Sequence, residues 1–362
     1  MAGPGSAMRT LRDHDVPVHV LPFRGYRPID LPRVSRESWR LRALIDTGHF
    51  DIVHSHLLKS SVLCRLAAWN APVRLVTQVP GVVHLASPAL RMIDVATMRR
   101  DDLLLASCTA FEQTYRALGA PRTALSFYGC RTDHLDPNAA RTTFRDEQFM
   151  QDAAVAVGMV AHMYPSRLKA FQGTGIKGHE TFIDAARLVA SESAHVRFFV
   201  IGDEFFGGGA YRQTLEARAA DLVELGVMRF LGHRSDMESV LAGLDILVNP
   251  SLSESGSFTA VEASLMRKPV IASAVGGLLD TVMDGVTGLL VEPANATALA
   301  DAISSLVDDP ARRRSMGARG RSHVTALFDL EHTVDSVEAS YARVMAQSPS
   351  AVRAQWRRRR SE

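Results

Sequence analysis

The sequence predicts an α/β protein built as two doubly wound, parallel-sheet domains facing each other across a cleft. Three observations point there. Short apolar runs alternate with amphipathic segments along nearly all of the 362 residues. The runs are continuous in Val, Ile and Leu rather than alternating with polar residues, as strands covered on both faces are. A polar stretch, 136–152, carries Pro137, Asn138 and several charges without an apolar period, and it divides the series in two. It reads as the passage between a domain 1–150 and a domain 151–328.

In the first domain the strand-like runs are 16–21, 51–54, 74–77, 103–107 and 125–128. Residues 7–13 look like the tail of a helix, and no buried strand precedes Val16. A doubly wound nucleotide-binding domain opens with strand, Gly-rich turn, helix and strand, so this one is expected to lack its opening βαβ unit. In the second domain the runs are 155–160, 196–201, 228–231, 246–249, 270–272 and 288–291. Helices are expected over 178–190, 211–225, 235–244, 259–266, 295–306 and 310–327, with a last one over 334–345. The first of these sets Phe182, Ala185, Ala186 and Val189 on one face.

With 46% hydrophobic and 22% charged residues, the chain can build two cores. A net charge of +2 leaves no electrostatic footprint for nucleic acid. Cys64, Cys108 and Cys130 are scattered and odd in number, so they read as small core residues in a reducing compartment, not as a disulfide framework or zinc site. No apolar stretch nears the roughly 20 residues of a membrane span and no signal segment opens the chain, which reads as cytoplasmic. The end, 349–362, carries Trp356 and Arg357-Arg358-Arg359-Arg360. It reads as a solvated tail, or alternatively as a weak contact with an anionic membrane surface.

The chemistry concentrates in Ser253-Glu254-Ser255-Gly256-Ser257-Phe258-Thr259-Ala260-Val261-Glu262. An apolar run ending in Asn249-Pro250 precedes it, and an Ala/Leu/Met-rich helix follows. Small residues at such a turn leave the first helical N–H groups open to an anion. Glu254 lies before the helix and Glu262 within it, so the two carboxylates can flank one bound molecule whose phosphate sits on the turn. A nucleotide sugar has that shape. The bland alternative is a helix capped by Glu254 and Ser255.

After the 155–160 run comes a basic, Gly-containing loop with Arg167, Lys169, Gly173 and Gly175, delivering Lys177-Gly178 to the next helix. A cation at a helix start opposes the macrodipole unless an anion is also present, so Lys177 points to a bound diphosphate. Leu231-Gly232-His233 forms another strand-to-helix turn, whose backbone can meet a base edge. His84 follows Pro80-Gly81 on a broken loop, where it is a cleft residue or a structural histidine. His54 and His56 alternate on a strand and so share a face; without a carboxylate or Cys partner they make no metal site. No Gly-Xaa-Ser-Xaa-Gly occurs, and no Gly-rich loop ends in Gly-Lys-Ser/Thr, which excludes serine-hydrolase and P-loop readings.

These segments resemble glycosyltransferase family 4, retaining enzymes of the two-domain GT-B fold. The likeness rests on the Glu254–Glu262 pair, Lys177-Gly178, Phe230-Leu231-Gly232-His233, and Pro269-Val270-Ile271-Ala272 through Gly276-Gly277 to Asp284-Gly285 and Leu289-Leu290-Val291. It extends more loosely over 51–56, 106–107 and 128–130. The resemblance implies that Glu262 holds the nucleotide ribose and that Glu254 contacts the donor sugar near the reacting carbon. Backbone N–H groups around Ser257, Phe258 and Thr259 would bind the phosphates, and Lys177 would neutralise the departing diphosphate. Arg167 or Lys169 is the candidate replacement for an arginine the family has near Met159, and His84 the candidate for its catalytic histidine-containing loop. The resemblance further implies no cofactor and no metal, a nucleotide-sugar donor, a hydroxyl acceptor and a closing helix within 329–348 that packs on the first domain. A sugar-nucleotide epimerase, a glycosyl phosphorylase and a non-catalytic nucleotide-binding remnant are the rival readings.

Overall fold

The computed structural model describes residues 6–20, 31–163, 165, 174–204 and 208–347. Arg167, Lys169 and the basic tail lie outside them. The first sheet holds four parallel strands in sequential order: β1 (Ile52–His56), β2 (Arg74–Val79), β3 (Leu103–Ala106) and β4 (Thr123–Leu125). The second holds β5 (Val155–Val160), β6 (Val196–Ile201), β7 (Met228–Gly232), β8 (Ile246–Asn249), β9 (Val270–Ser273) and β10 (Gly288–Val291). Its order is β10-β9-β8-β5-β6-β7, all parallel. The winding therefore reverses between β5 and β8, where a doubly wound sheet opens a crevice at its carboxyl edge.

Both faces of the second sheet are covered, which is why its strands are mostly apolar. Val155, Val157 and Met159 of β5 pack with Phe182, Ile183, Leu299 and Ile303 of the helices His179–Glu192 and Ala296–Val307. The intervening Ala156 joins Phe199, Leu247, Leu241, Val261 and Val324 on the opposite face. In the first sheet, Leu104 packs with Met98, Phe111 and Tyr115, while Leu103 and Leu105 turn to Val344. Val344 belongs to the last helix, Leu330–Ala346, so the chain's end completes the core under its first strands. Two crossings between the halves lie side by side: Cys130 N donates to Phe328 O at 2.8 Å, and Thr132 Oγ1 to Asp329 Oδ2 at 2.7 Å.

Four expectations need correction. The run at 16–21 makes no strand over its described residues 16–20, and Val16 and Val20 are exposed. Pro17 has no N–H to give a ladder, so the apolar residues there lack a sheet to join. The fourth strand ends at Leu125 rather than spanning 125–128. Phe127 and Tyr128 are apolar for another reason, packing on Phe328 and lying near His56. The stretch 136–152 contains the helix Arg141–Glu147, too short to show a period. Its fully buried Phe144 meets Phe199 across 5.2 Å, and Arg145 reaches Asp245, so it packs on the second sheet. The helix expected over 211–225 is broken at Ala219 into Ala210–Arg218 and Ala220–Glu224.

Two buried histidines set an acid limit on the fold. Burial at the start of its helix, reinforced by the nearby Lys177 charge, holds His179 down to about 3 against a contact with the Ala161 backbone. Burial, reinforced by the stacked His56, holds His54 down to about 4. Both take up a proton near pH 6.5 when unfolded but not when folded, so the unfolded state gains as pH falls. Stability is expected to decline from about pH 6.5 toward 4, above the range where the salt-bridged acids begin to protonate. Thermal melts across that range should show the slope, and His179→Met should flatten it; an equal slope in both proteins would refute the assignment.

Candidate active site

The two loops flanking the crevice are locked together by backbone. Leu252 N, after β8, donates to Ile176 O at 2.8 Å, in the loop after β5. Gly178 has φ +75°, and a Cβ there would stand 2.0 Å from Pro250 O. Only glycine permits that approach. This contact brings Lys177 beside the turn after β8, where its Nζ lies 2.5 Å from Glu254 Oε2. Ser251 Oγ donates to the same carboxylate oxygen at 3.3 Å. Glu254 is buried, with only 8% of its surface exposed, while Lys177 keeps 22% of its side chain exposed.

The helix Phe258–Leu265 is capped by neither Glu254 nor Ser255 but by Ser257, whose Oγ accepts from Ala260 N at 3.2 Å. Asn249 Nδ2 donates to that Oγ at 2.7 Å, and Thr259 Oγ1 lies 3.0 Å from it. The cap thereby ties the helix to the end of β8 and leaves Glu254 to Lys177. Phe258 is about half exposed at the first helical position. Glu262, on the second turn, is half-buried, and burial raises its carboxyl above the usual range. His134 lies beside it, with Nε2 4.0 Å from Oε1.

Gly276 fixes the far wall. It has φ +51°, and a Cβ there would fall 1.8 Å from Glu254 O and 3.6 Å from Phe111 of the first half. Thr109 N donates to Asp280 Oδ2 at 2.9 Å, joining the halves at this edge. Gly276→Ala is expected to displace the Glu254 loop, costing at least about 1 kcal/mol of stability and most of the turnover. Urea titration with an activity assay measures both, and a variant matching wild type would show that the close approach is dispensable.

His84 stands at the carboxyl edge of the first sheet, in a small pocket with Gln78, Gly81 and Tyr115. Its Nε2 lies 2.9 Å from Asp94 Oδ2 and 3.0 Å from Tyr115 Oη. Burial opposes the charge of Asp94, but the His84 hydrogen bond, the Arg65 charge and the Tyr115 hydroxyl outweigh it and hold the carboxyl down to about 2. His233 is on the same carboxyl edge as Lys177 but beside Asp203, at the ends of β6 and β7. His54 and His56 are stacked, with centroids 4.6 Å apart, and Tyr341 of the last helix meets His54 Nδ1 at 2.7 Å.

Residues 172–323 match the family described as Glycosyl transferases group 1, and residues 2–128 match the Glycosyl transferase 4-like domain. A D-inositol 3-phosphate glycosyltransferase of Geodermatophilus obscurus is 30% identical over 344 residues, covering 88% of this chain and 73% of that one. The chain belongs to the group 1 glycosyl transferases. Solved structures agree on the fold. HepE of Anabaena, in complex with UDP, superimposes with a TM-score of 0.77 at 22% identity, covering 93% of this chain and 89% of that one. A glycosyltransferase from Rickettsia africae does so at 0.79 and 19%, covering 95% and 89%. The architecture is GT-B, as expected.

Within this glycosyltransferase, Lys177 and Glu254 meet directly, while Glu262 sits on the helix that follows Glu254 and His84 across in the first half. Arg167 lies outside the described residues. Sequence reasoning missed Asp94 and Tyr115, which bond His84, Arg65, which bonds Asp94, and His134 beside Glu262. Asp94 lies ten positions after His84, a spacing with no regular period behind it. Pro88, which starts the helix Pro88–Met98, was the available signal that this helix turns back over the loop.

Proposed function

We propose that this glycosyltransferase moves a hexose-type sugar from a nucleotide-diphosphate sugar to a hydroxyl acceptor, with retention at the anomeric carbon and without a metal ion. The Lys177–Glu254 pair at the β5/β8 crevice is the observation that carries this reading. As the bond from the anomeric carbon to the diphosphate oxygen breaks, its electron pair leaves with the diphosphate. Lys177 and the N–H groups of Phe258 and Thr259 meet that negative charge, supplying what an ion would otherwise supply. Glu254 faces the positive charge that grows on the sugar ring. The acceptor oxygen bonds to the same carbon and its proton passes to the departing phosphate oxygen. Glu262 holds the ribose, His84 lies on the acceptor side, and Arg167 and His233 are donor contacts.

The HepE structures with UDP and UDP-glucose make UDP sugars the first donors to try. The relatives that act on D-inositol 3-phosphate make a phosphorylated polyol the first acceptor, ahead of a lipid-linked glycan, polysaccharide or specialised metabolite. The test is release of nucleoside diphosphate from UDP, GDP and ADP sugars, with and without acceptor and EDTA, and the product anomer read by NMR. Release only with acceptor, unaffected by EDTA and with retained configuration, is expected. Release without acceptor, or an inverted product, would overturn the reading.

A further inference from the structure

We propose that His134 is the second jaw of a clamp for the ribose diol of the donor nucleotide, an inference that rests on Glu262 holding the ribose as above. His134 lies in the stretch where the chain passes from the first sheet to the second, and that stretch is pinned on both sides. Cys130 N and Thr132 Oγ1 bond to Phe328 O and Asp329 Oδ2 before it, as described. After it, Leu135 is buried in the second core at 7% exposure, and Asp136 N donates to Glu238 Oε2 at 2.9 Å. The imidazole is therefore positioned by the half that carries Glu262.

Its tautomer follows from its neighbours. Nδ1 is hydrogen-bonded to the Arg131 carbonyl oxygen, which only accepts, so Nδ1 carries the proton and the neutral ring presents a lone pair at Nε2. That lone pair stands 4.0 Å from Glu262 Oε1, beyond hydrogen-bond range, and the two are both acceptors. Both side chains remain reachable, at 34% and 26% exposure. Cys130, also near Glu262, is kept a neutral thiol: burial raises it, and Glu262 and Asp329 add to the rise. Two side-by-side acceptors with no donor between them match a vicinal diol, which brings two donors. A deoxyribose would satisfy only one of them. His134 is then what makes the site read a ribonucleotide.

Calorimetric titration of the full chain with UDP, ADP and GDP, and with the 2′- and 3′-deoxy forms of whichever binds best, tests this. His134→Ala is expected to weaken the ribonucleotide about three- to tenfold, the worth of one hydrogen bond, and to leave one deoxy form unchanged. His134→Gln, which can place an acceptor near the Nε2 position, should restore most of the difference. Unchanged ribonucleotide affinity in His134→Ala, or an equal loss for ribo and both deoxy forms, would overturn the clamp. If Glu262→Gln still weakens binding in that case, the nucleotide site stands and this inference alone falls. A wild-type chain that binds none of the three nucleotides would overturn both.

Discussion

Glu254→Gln is expected to lower kcat by about 10²–10³-fold or more while the protein stays folded, because it removes charge and keeps shape. The carboxylate is buried and 2.5 Å from Lys177 Nζ. In the resting site the two charges offset each other. In the proposed reaction a bound diphosphate shares Lys177, and Glu254 is left facing the sugar carbon where positive charge develops. A neutral amide can accept the lysine hydrogen bond but cannot answer that charge, so the loss falls on the chemical step. The measurement is kcat and KM for the preferred donor, with a melt to show an intact fold. A kcat within a few fold of wild type would remove Glu254 from the mechanism. A donor KM raised with kcat unchanged would reduce it to a binding group.

Arg65→Met is expected to cost about 3–5 kcal/mol of stability, the largest effect of any single substitution away from the crevice. Arg65, on the helix Leu58–Ala67, is 1% exposed and serves two buried acids. It bonds Asp101 Oδ2 at 2.6 Å and Asp94 Oδ1 at 2.7 Å. Without the guanidinium, Asp101, whose carboxyl burial already pushes upward, keeps no counter-charge. Asp94 retains only His84 and the Tyr115 hydroxyl, the latter at 2.5 Å. Urea denaturation gives the number, and a loss under about 1 kcal/mol would show that water or rearrangement replaces the arginine. The triple variant Arg65→Met, Asp94→Asn, Asp101→Asn should recover part of the loss, since the penalty lies in unpaired charge and not in missing volume. Because Asp94 also bonds His84, the single variant should disturb the proposed acceptor side too.

Legibility followed the range of the forces involved. Strands β5, β6, β8 and β10 could be placed to the residue from their apolar runs, since a strand covered on both faces is dominated by apolar residues. The first half was harder. Its apolar residues answer to a helix from the far end of the chain, as Val344 does under Leu103 and Leu105, and to aromatic contacts such as Phe127 on Phe328. Those partners are some two hundred positions away or more. The short helix around Phe144 was invisible because one buried aromatic makes no period.

The sequence by itself determined the two parallel-sheet halves, and it put forward the turn before Phe258 with Glu254, Glu262 and Lys177 as candidate site residues, from spacing within single strands and turns. Only the tertiary structure decided which of these groups touch. Gly178 against Pro250 sets Lys177 on Glu254, the two side-by-side crossings set His134 near Glu262, and three separate elements close Arg65 over Asp94 and Asp101. Periodicity reports which way a side chain faces, but a contact between distant segments depends on how whole elements pack.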